Sequence, residues 1–465
     1  MAEPLWTSAQ IAAIAGGRTA GQPFGAEGVS IDSRTLQAGD LFVALAQMRD
    51  GHVFAPAAFA AGAAGALVER PVDGPCVVVA DTQAALGALG QAARDRASRA
   101  RRGAVTGSVG KTSVTQAVKA GLSRAGAAHG SVNSYNNHIG VPLTLARMPA
   151  ATRRAIFEIG MNHAGEIAPL SAMVRPHAVA ITNVEAVHTE NFTDGEAGVA
   201  AAKAEIFAGL EPGGVAVLNA DNRWFEDLRA HAAGVGAMVR TFGAAQAADA
   251  RLLGFFPEAS GARVEAMVDG ARLDFPVSQT AAHWGAMSLC ALLMLEALEV
   301  DRATALTALA EFAPLEGRGA ERRIALAGGE IILVDESYNA NPVSVVGALE
   351  TLGRRPVAGR RIVALTDMLE LGDQSPDSHA GLAGPIETAR IDLVFCAGPL
   401  MESLWKALPP TRRGGYARTA AELSPHLARA VEPGDVVMVK GSRDSQARLL
   451  AQAIADLAAA SPGGG

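Results

Sequence analysis

Thr106-Gly-Ser-Val-Gly-Lys-Thr112 follows the apolar, strand-like Ala104-Val105 and leads into a helix-like stretch from Lys111. A glycine-rich turn in that position lets the main chain wrap phosphate groups with its own N–H groups at a helix N-terminus. Lys111 brings a cation to the β/γ-phosphates, and the Thr112 hydroxyl is a ligand for Mg²⁺. The longer standard loop has a glycine five residues before Gly110, where this chain carries Val105, so the loop is a shorter variant whose glycines are Gly107 and Gly110. An ATP-binding segment of Thr106, Gly107, Ser108, Val109, Gly110, Lys111, Thr112 and Ser113 is the resulting reading. The bland alternative, a turn that binds nothing, accounts poorly for Gly-Lys-Thr between a strand and a helix.

Outward from this loop the pattern alternates strand and helix. Ala155-Ile-Phe-Glu158, Ala178-Val-Ala-Ile181 and Val215-Ala-Val-Leu218 are short apolar runs separated by helical sequence, which predicts a parallel sheet with crossover helices. Between about Met238 and Val277 short strands are expected without helices between them, and an apolar helix of about His283 to Leu298 follows. A second series begins near Ile331-Ile-Leu-Val334 and continues through Ile362-Val-Ala-Leu365, Leu393-Val-Phe395 and Val436-Val-Met-Val439, as in a dinucleotide-type domain. Before Arg94 lie β-rich pieces such as Asp40-Leu-Phe-Val-Ala-Leu45 and an Ala-rich helical stretch, a small α/β domain. The expected architecture is α/β in three domains, residues 1–98, 99–314 and 315–465, and Ser461-Pro-Gly-Gly-Gly465 reads as a disordered tail.

Bulk properties agree with several packed cores. The chain has 465 residues, 49% hydrophobic and 19% charged, and a length prior of roughly 150 residues per domain gives about three. A net charge of -7 argues against a nucleic-acid partner. The run Arg94 to Arg102 holds five arginines and reads as a solvated helix end at a domain junction. Cys76, Cys290 and Cys396 are too few and too scattered for a disulfide framework, which fits a reducing cytoplasm. No signal peptide is expected, and the uncharged stretch Val53 to Val68 falls short of the ~20 residues that span a bilayer.

A metal ion needs more ligands than one hydroxyl. Glu158 closes its predicted strand where a carboxylate faces the loop across the C-terminal edge of the sheet, and His188 lies just beyond the strand that ends in Thr182-Asn183. Each of these residues read alone is an ordinary surface group. Read together, the segments resemble the Mur ligase family over nearly the whole chain. In the first domain Ile31-Asp-Ser-Arg34, Gly39-Asp-Leu-Phe-Val-Ala-Leu45 and Asp50-Gly-His52 are similar to the region that holds a uridine diphosphate substrate. In the second, besides the loop, come Asn133-Ser-Tyr-Asn-Asn-His-Ile-Gly-Val-Pro142, Glu158-Ile-Gly-Met-Asn162, Asn183-Val-Glu-Ala-Val-His188 and Ala202-Lys-Ala-Glu-Ile-Phe207. In the third, Asp335-Glu-Ser-Tyr-Asn-Ala-Asn-Pro342 and Asp367-Met-Leu-Glu-Leu-Gly372 resemble the branch that adds D-alanyl-D-alanine. The Asp-Asn-Pro-Arg segment of the diaminopimelate- or lysine-adding branch is absent. Gln47, Met287 and Thr366 depart from the pattern, standing for glycine, asparagine and glycine in turn.

The resemblance implies an ATP- and Mg²⁺-dependent amide ligase of peptidoglycan precursor synthesis. Its substrates would be UDP-N-acetylmuramoyl-tripeptide and D-alanyl-D-alanine, joined through an acyl phosphate by a monomeric cytoplasmic enzyme. It implies catalytic roles for Lys111, Lys203, His188 and Glu158, and a metal site of Thr112, Glu158, His188 and a carbamylated Lys203. Arg318 and Asp335 would hold the nucleotide from the third domain. Ser33 and Arg34 would serve the uridine end, and Asn136 and Asn137 the substrate beside the loop. Asn339, Asn341, Lys440 and Arg443 are candidates for the dipeptide, whose carboxylate wants a cation or amide donors, with turn and helix-cap roles as the alternative. A folylpolyglutamate synthase-like ligase, which would lack the separate first domain, and a nucleotide-gated ATPase module are the competing readings.

Overall fold

The computed structural model describes residues 3–46, 49–132, 134–185, 191–258 and 261–460. Packing divides the chain into two compact units, residues 1–182 with 200–241 and 290–305, and residues 183–199 with 242–289 and 306–465. Among the described residues no helix is long and apolar enough to cross a membrane.

The first unit opens with a five-stranded sheet in the spatial order Arg18–Ala20, Cys76–Val78, Gly65–Val68, Asp40–Val43, Gly28–Ser30. All neighbours are parallel except the edge strand Arg18–Ala20. Strand Arg101–Thr106 then lies in the middle of a parallel set, with Arg154–Glu158 and Ala128–Gly130 on one side and Ala178–Ile181 and Val215–Asn219 on the other. Because helices cover both faces, its strands are apolar runs without alternation, which is why they were legible as short blocks. Register places Val105 opposite Glu158, and Thr106 opposite Ile181, so the phosphate loop, Glu158 and Thr182 all emerge at one carboxyl edge.

The arginine run sits at a junction, as its position suggested, but only Arg99 in it is fully exposed, while Arg94 and Arg102 are buried. Arg96 lies 4.1 Å over the Trp6 ring and donates to Leu5 O at 2.7 Å and Met148 O at 3.2 Å. Arg94 reaches Met173 O at 2.7 Å, and Arg102 reaches Val174 O at 2.9 Å and Ala100 O at 3.0 Å. Their N–H groups are shared between these carbonyls and the carboxylates of Asp95, beside Arg94, and Glu211, beside Arg102.

The second unit contains the expected short strands without helices between them, Ala250–Pro257, Ala262–Val268 and Ala271–Val277, which pair as antiparallel hairpins. Its large sheet runs Ala320–Leu326, Gly329–Glu336, Val436–Lys440, Arg361–Thr366, Leu393–Ala397, Arg413–Ala417. All pairs are parallel except the first. Alternate side chains feed two apolar layers: Val363, Leu365 and Met438 meet Leu349 and Leu352, while Ile362, Val437 and Val439 meet Leu450 and Ile454. The last strand in the chain inserts between the first two parallel ones, so strand order reverses there. Ligand crevices form outside the carboxyl ends of strands at such a reversal. The loops that follow are Ser337–Asn341, Gly441–Ser445 and the turn after Asp367. Two edge strands, Ala320–Leu326 and Arg413–Ala417, were not anticipated: the first carries three consecutive charged residues, Glu321 to Arg323, and the second carries Gly414 and Gly415.

Candidate active site

Helix Lys111–Arg124 starts at Gly110 with no side chain capping it, an arrangement in which a phosphate takes the place of the cap. Gly110 has φ +85° and Gly107 φ +149°, both in the region that favours glycine. At Gly107 there is also no room: a Cβ would lie 1.9 Å from Thr182 Oγ1. That hydroxyl donates to Val109 O at 2.6 Å, the Thr182 amide donates to Thr106 O at 3.0 Å, and Asn219 Nδ2 donates to Thr182 O at 3.1 Å. The neighbouring strand thus clamps the loop from behind. Thr182 and Asn219 were not recognised as part of the site in the sequence, although a hydroxyl at the carboxyl end of the adjacent strand was the available signal. Lys111 Nζ turns back over the loop and donates to Gly107 O at 2.7 Å and Ser108 O at 3.4 Å.

Glu158 is 1% exposed. Its amide donates to Ser131 Oγ at 3.0 Å, and its Oε1 accepts from Asn136 Nδ2 at 2.7 Å. Its Oε2 is buried with no hydrogen-bond partner among the described residues. A buried carboxylate oxygen left in that state is costly unless something else satisfies it. Asn137 uses its Oδ1 to accept from the Ile139 and Gly140 amides, at 3.1 and 2.9 Å, and so starts helix Gly140–Ala146.

Lys203 lies in helix Glu196–Ala204 and is 3% exposed. Burial, and then the nearby Lys111 cation, push its ammonium well below the ordinary lysine range. Among the described residues no carboxylate pairs with it. A buried lysine beside another cation, with no carboxylate partner among the described residues, is biased toward its neutral form. The residues present fit Mg²⁺: an orphaned carboxylate oxygen on Glu158 and the buried Thr112 hydroxyl are hard oxygen donors. His188 lies outside the described residues, as do Gln47 and the tail from residue 461.

In the first sheet region Arg34 is exposed and pairs with Asp32 at 2.6 Å, with Ser33 in the turn between them. Asp50 accepts from Arg70 and from His52, and these bonds hold its carboxyl below the usual range. His52 Nε2 in turn accepts from the Glu69 amide at 2.8 Å, so Asp50-Gly-His52 braces its own loop.

In the second unit Asp335 is buried and spends its carboxylate on the loops around it. Oδ1 accepts from the Ser337 amide at 3.0 Å and Ser337 Oγ at 2.6 Å, and Oδ2 accepts from the Gly317 amide at 3.3 Å. Lys440 is buried, with Nζ donating to Glu336 Oε2 at 3.1 Å and Asn339 O at 3.2 Å. Asn341 Oδ1 accepts from the Ser344 amide at 2.8 Å and caps helix Pro342–Arg354. Asn339 and Arg443 remain exposed at the same edge.

A strand–loop–helix phosphate cradle, a loop lysine, an orphaned carboxylate oxygen and a buried lysine with no carboxylate partner among the described residues define an ATP-dependent enzyme of the P-loop class. The family model for the Mur ligase middle domain matches residues 105–295, and that for the Mur ligase, glutamate ligase domain matches residues 322–443. The UDP-N-acetylmuramoyl-tripeptide--D-alanyl-D-alanine ligase of Escherichia coli is 34% identical over 94% of this chain and 96% of its own length. The ligase of the same name from Rickettsia prowazekii is 30% identical over 89% of this chain and 92% of its own. A crystal structure of MurF from Acinetobacter baumannii superposes with a TM-score of 0.83 at 26% identity, covering 97% of this chain and 99% of that one. The chain belongs to the Mur ligase family and is an ATP-dependent ligase of peptidoglycan precursor synthesis.

Proposed function

We propose that this ligase joins the amine of D-alanyl-D-alanine to the terminal carboxylate of UDP-N-acetylmuramoyl-tripeptide, in the cytoplasm and as a monomer. The reading of the chemistry is carried by one juxtaposition: the phosphate-loop Lys111, and the buried Lys203, which has no carboxylate partner among the described residues and lies close enough to feel the Lys111 charge. The choice of substrates is supported by similarity along the full length of ligases that bear those names.

A carboxylate does not react with an amine at neutral pH because its oxide leaves poorly. One carboxylate oxygen therefore takes the γ-phosphoryl group of ATP, forming a C–O–P linkage as the bond to ADP breaks. The unprotonated amine then adds to the acyl carbon, the tetrahedral adduct expels phosphate, and the nitrogen gives up its proton. Lys111 neutralises charge on the phosphoryl oxygens in flight. Thr112, Glu158, His188 and carbamylated Lys203 would hold Mg²⁺, which supplies further charge neutralisation when bound. Forming the carbamate joins the neutral Lys203 amine to CO₂ with loss of a proton, and the depressed basicity of that amine favours it. Arg318 and Asp335 serve the nucleotide, with Arg318 the group free to reach it and Asp335 the brace of the loop that presents it. Ser33 and Arg34 serve the uridine end, Asn136 orients Glu158, and Asn339 and Arg443 serve the dipeptide.

Mass spectrometry of a mixture of enzyme, ATP, Mg²⁺, the uridine-linked tripeptide and D-alanyl-D-alanine should reveal the uridine-linked pentapeptide with one ADP per bond. ADP released without that product would overturn the assignment. Lys111→Ala should lower turnover by on the order of 10²-fold or more with the fold intact. Lys203→Ala should lose most activity, and formate or acetate should restore part of it by standing in for the carbamate oxygens. Near-normal turnover of Lys203→Ala, or an unmodified amine in active enzyme, would remove the carbamate from the mechanism.

A further inference from the structure

Several arginines around the large C-terminal sheet are spent on acidic partners. Arg322 pairs with Glu316 at 2.8 Å, Arg355 with Glu321 at 2.6 Å and Arg360 with Asp435 at 2.7 Å. Arg318 differs. Its guanidinium carbon lies 4.0 Å from the centre of the Tyr338 ring, and among the described residues neither a carboxylate nor a carbonyl oxygen pairs with that guanidinium. The two residues are held together by their backbones as well. The Tyr338 amide donates to Gly317 O at 3.1 Å, the Gly319 amide to Asp335 O at 2.8 Å, and the Arg318 amide to Leu315 O at 2.9 Å. Gly317 abuts Tyr338 so closely that a Cβ there would stand 3.0 Å from the Tyr338 Cβ.

A guanidinium resting on an aromatic face is attracted by the ring's quadrupole while the N–H groups at its edge remain available, since stacking uses none of them. An arginine side chain otherwise loses rotamer freedom when a ligand fixes it, and a platform removes part of that loss beforehand. We propose that Tyr338 is a positioning residue for the nucleotide: its ring holds the Arg318 guanidinium in the orientation that receives the phosphate oxygens of ATP. The inference rests on the reading of Arg318 as a nucleotide ligand and adds to it the means by which that side chain is oriented.

Steady-state kinetics of the full-length enzyme tests it. Tyr338→Leu and Tyr338→Gln, which remove the ring, should raise the KM for ATP about 5-fold or more while the KM for D-alanyl-D-alanine stays within about 2-fold. Tyr338→Phe, which keeps the ring, should restore the ATP value. In an Arg318→Ala background, Tyr338→Leu should add nothing, because a platform without its cation has no effect to lose. Circular dichroism melts establish that each variant is folded, and Tyr338→Gln decides if Tyr338→Leu is not. An ATP KM unchanged in both ring-less variants, with that of Arg318→Ala raised, would overturn the platform alone. A Tyr338 effect that persists without Arg318 would do the same. An unchanged ATP KM in Arg318→Ala would overturn the nucleotide role of Arg318 and the platform with it.

Discussion

At residue scale the site turns on atoms that have no spare room. Gly107 is the sharpest case, because a single methyl there would collide with the hydroxyl that clamps the loop, at 1.9 Å, and would sit on a backbone with φ +149°. Both problems push in the same direction, since relieving the clash means moving Thr182 away from Val109 O, its 2.6 Å partner. Gly107→Ala should therefore weaken binding of a non-hydrolysable ATP analogue at least about 10-fold by calorimetry, with the thermal midpoint falling by only a few degrees because the clash is local. Binding that survives unchanged would mean that the loop does not adopt this conformation when it holds phosphate. Glu158 shows the complementary case, a residue with one oxygen engaged by Asn136 and the other left over. Packing alone does not explain a half-satisfied buried carboxylate; a cation does.

At the scale of elements, polar residues in the C-terminal loops divide between those that hold the loops and those that face outward. Asn341 belongs to the first group, because its side chain and that of Ser344 form a reciprocal cap at the start of helix Pro342–Arg354. Asn341→Ala should cost about 1 kcal/mol in urea unfolding, Asn341→Asp should recover most of it, and the KM for the dipeptide should move less than about 2-fold in either. A large KM change without loss of stability would return Asn341 to the binding surface. The same division explains what the sequence could reveal. Buried parallel strands such as Ala178–Ile181 announce themselves as apolar blocks, and the phosphate loop is local in the chain, so both were readable. Lys440 looked like a free cation because its partner Glu336 lies 104 residues away. Thr366 stands where the family pattern has glycine, and its accommodation is tertiary. Its hydroxyl meets Ser445 Oγ at 2.5 Å, and Gly441 leaves the space, since a Cβ there would lie 1.6 Å from Thr366 Oγ1. No periodicity records such pairings, and edge strands like Ala320–Leu326 lack the apolar block that marks a central one.

Across the whole molecule, stability should depend on pH through histidines that fold in the neutral form. His177 Nδ1 accepts the Arg102 amide at 3.1 Å, a bond that a proton on that nitrogen would abolish. Burial, and then the Arg102 and Arg101 cations, lower its pKa from 6.5 to about 4. His129 donates from Nε2 to Thr144 O at 2.7 Å, and burial, reinforced by Lys119 and Arg147, also takes it to about 4. His379 accepts the Met368 amide at 3.0 Å, and burial lowers its pKa as well. For each group the folded value lies below the unfolded one, and for His177 and His129 this means that between pH 6.5 and about 4 the unfolded chain binds more protons. The stabilisation is complete above about pH 6.5 and is lost as pH falls through that window. Below about 4 these groups contribute no further change, and paired carboxylates such as Asp435, held low by Arg360, take over the acid loss. Urea unfolding at pH 7.5 and pH 5.0 separates the two sets, because exposed and paired carboxylates stay largely ionised at both. Stability should drop at pH 5.0, by on the order of 2 kcal/mol for the deeply buried His129 and by less for His177, whose partial exposure lets solvent screen the neighbouring cations. His177→Gln retains an acceptor for the Arg102 amide but cannot take up the proton, so it should shrink the difference between the two pH values even if it lowers stability at both. An undiminished difference in His177→Gln and in His129→Gln would mean that these imidazoles titrate alike in the folded and unfolded chains, contrary to their burial among cations.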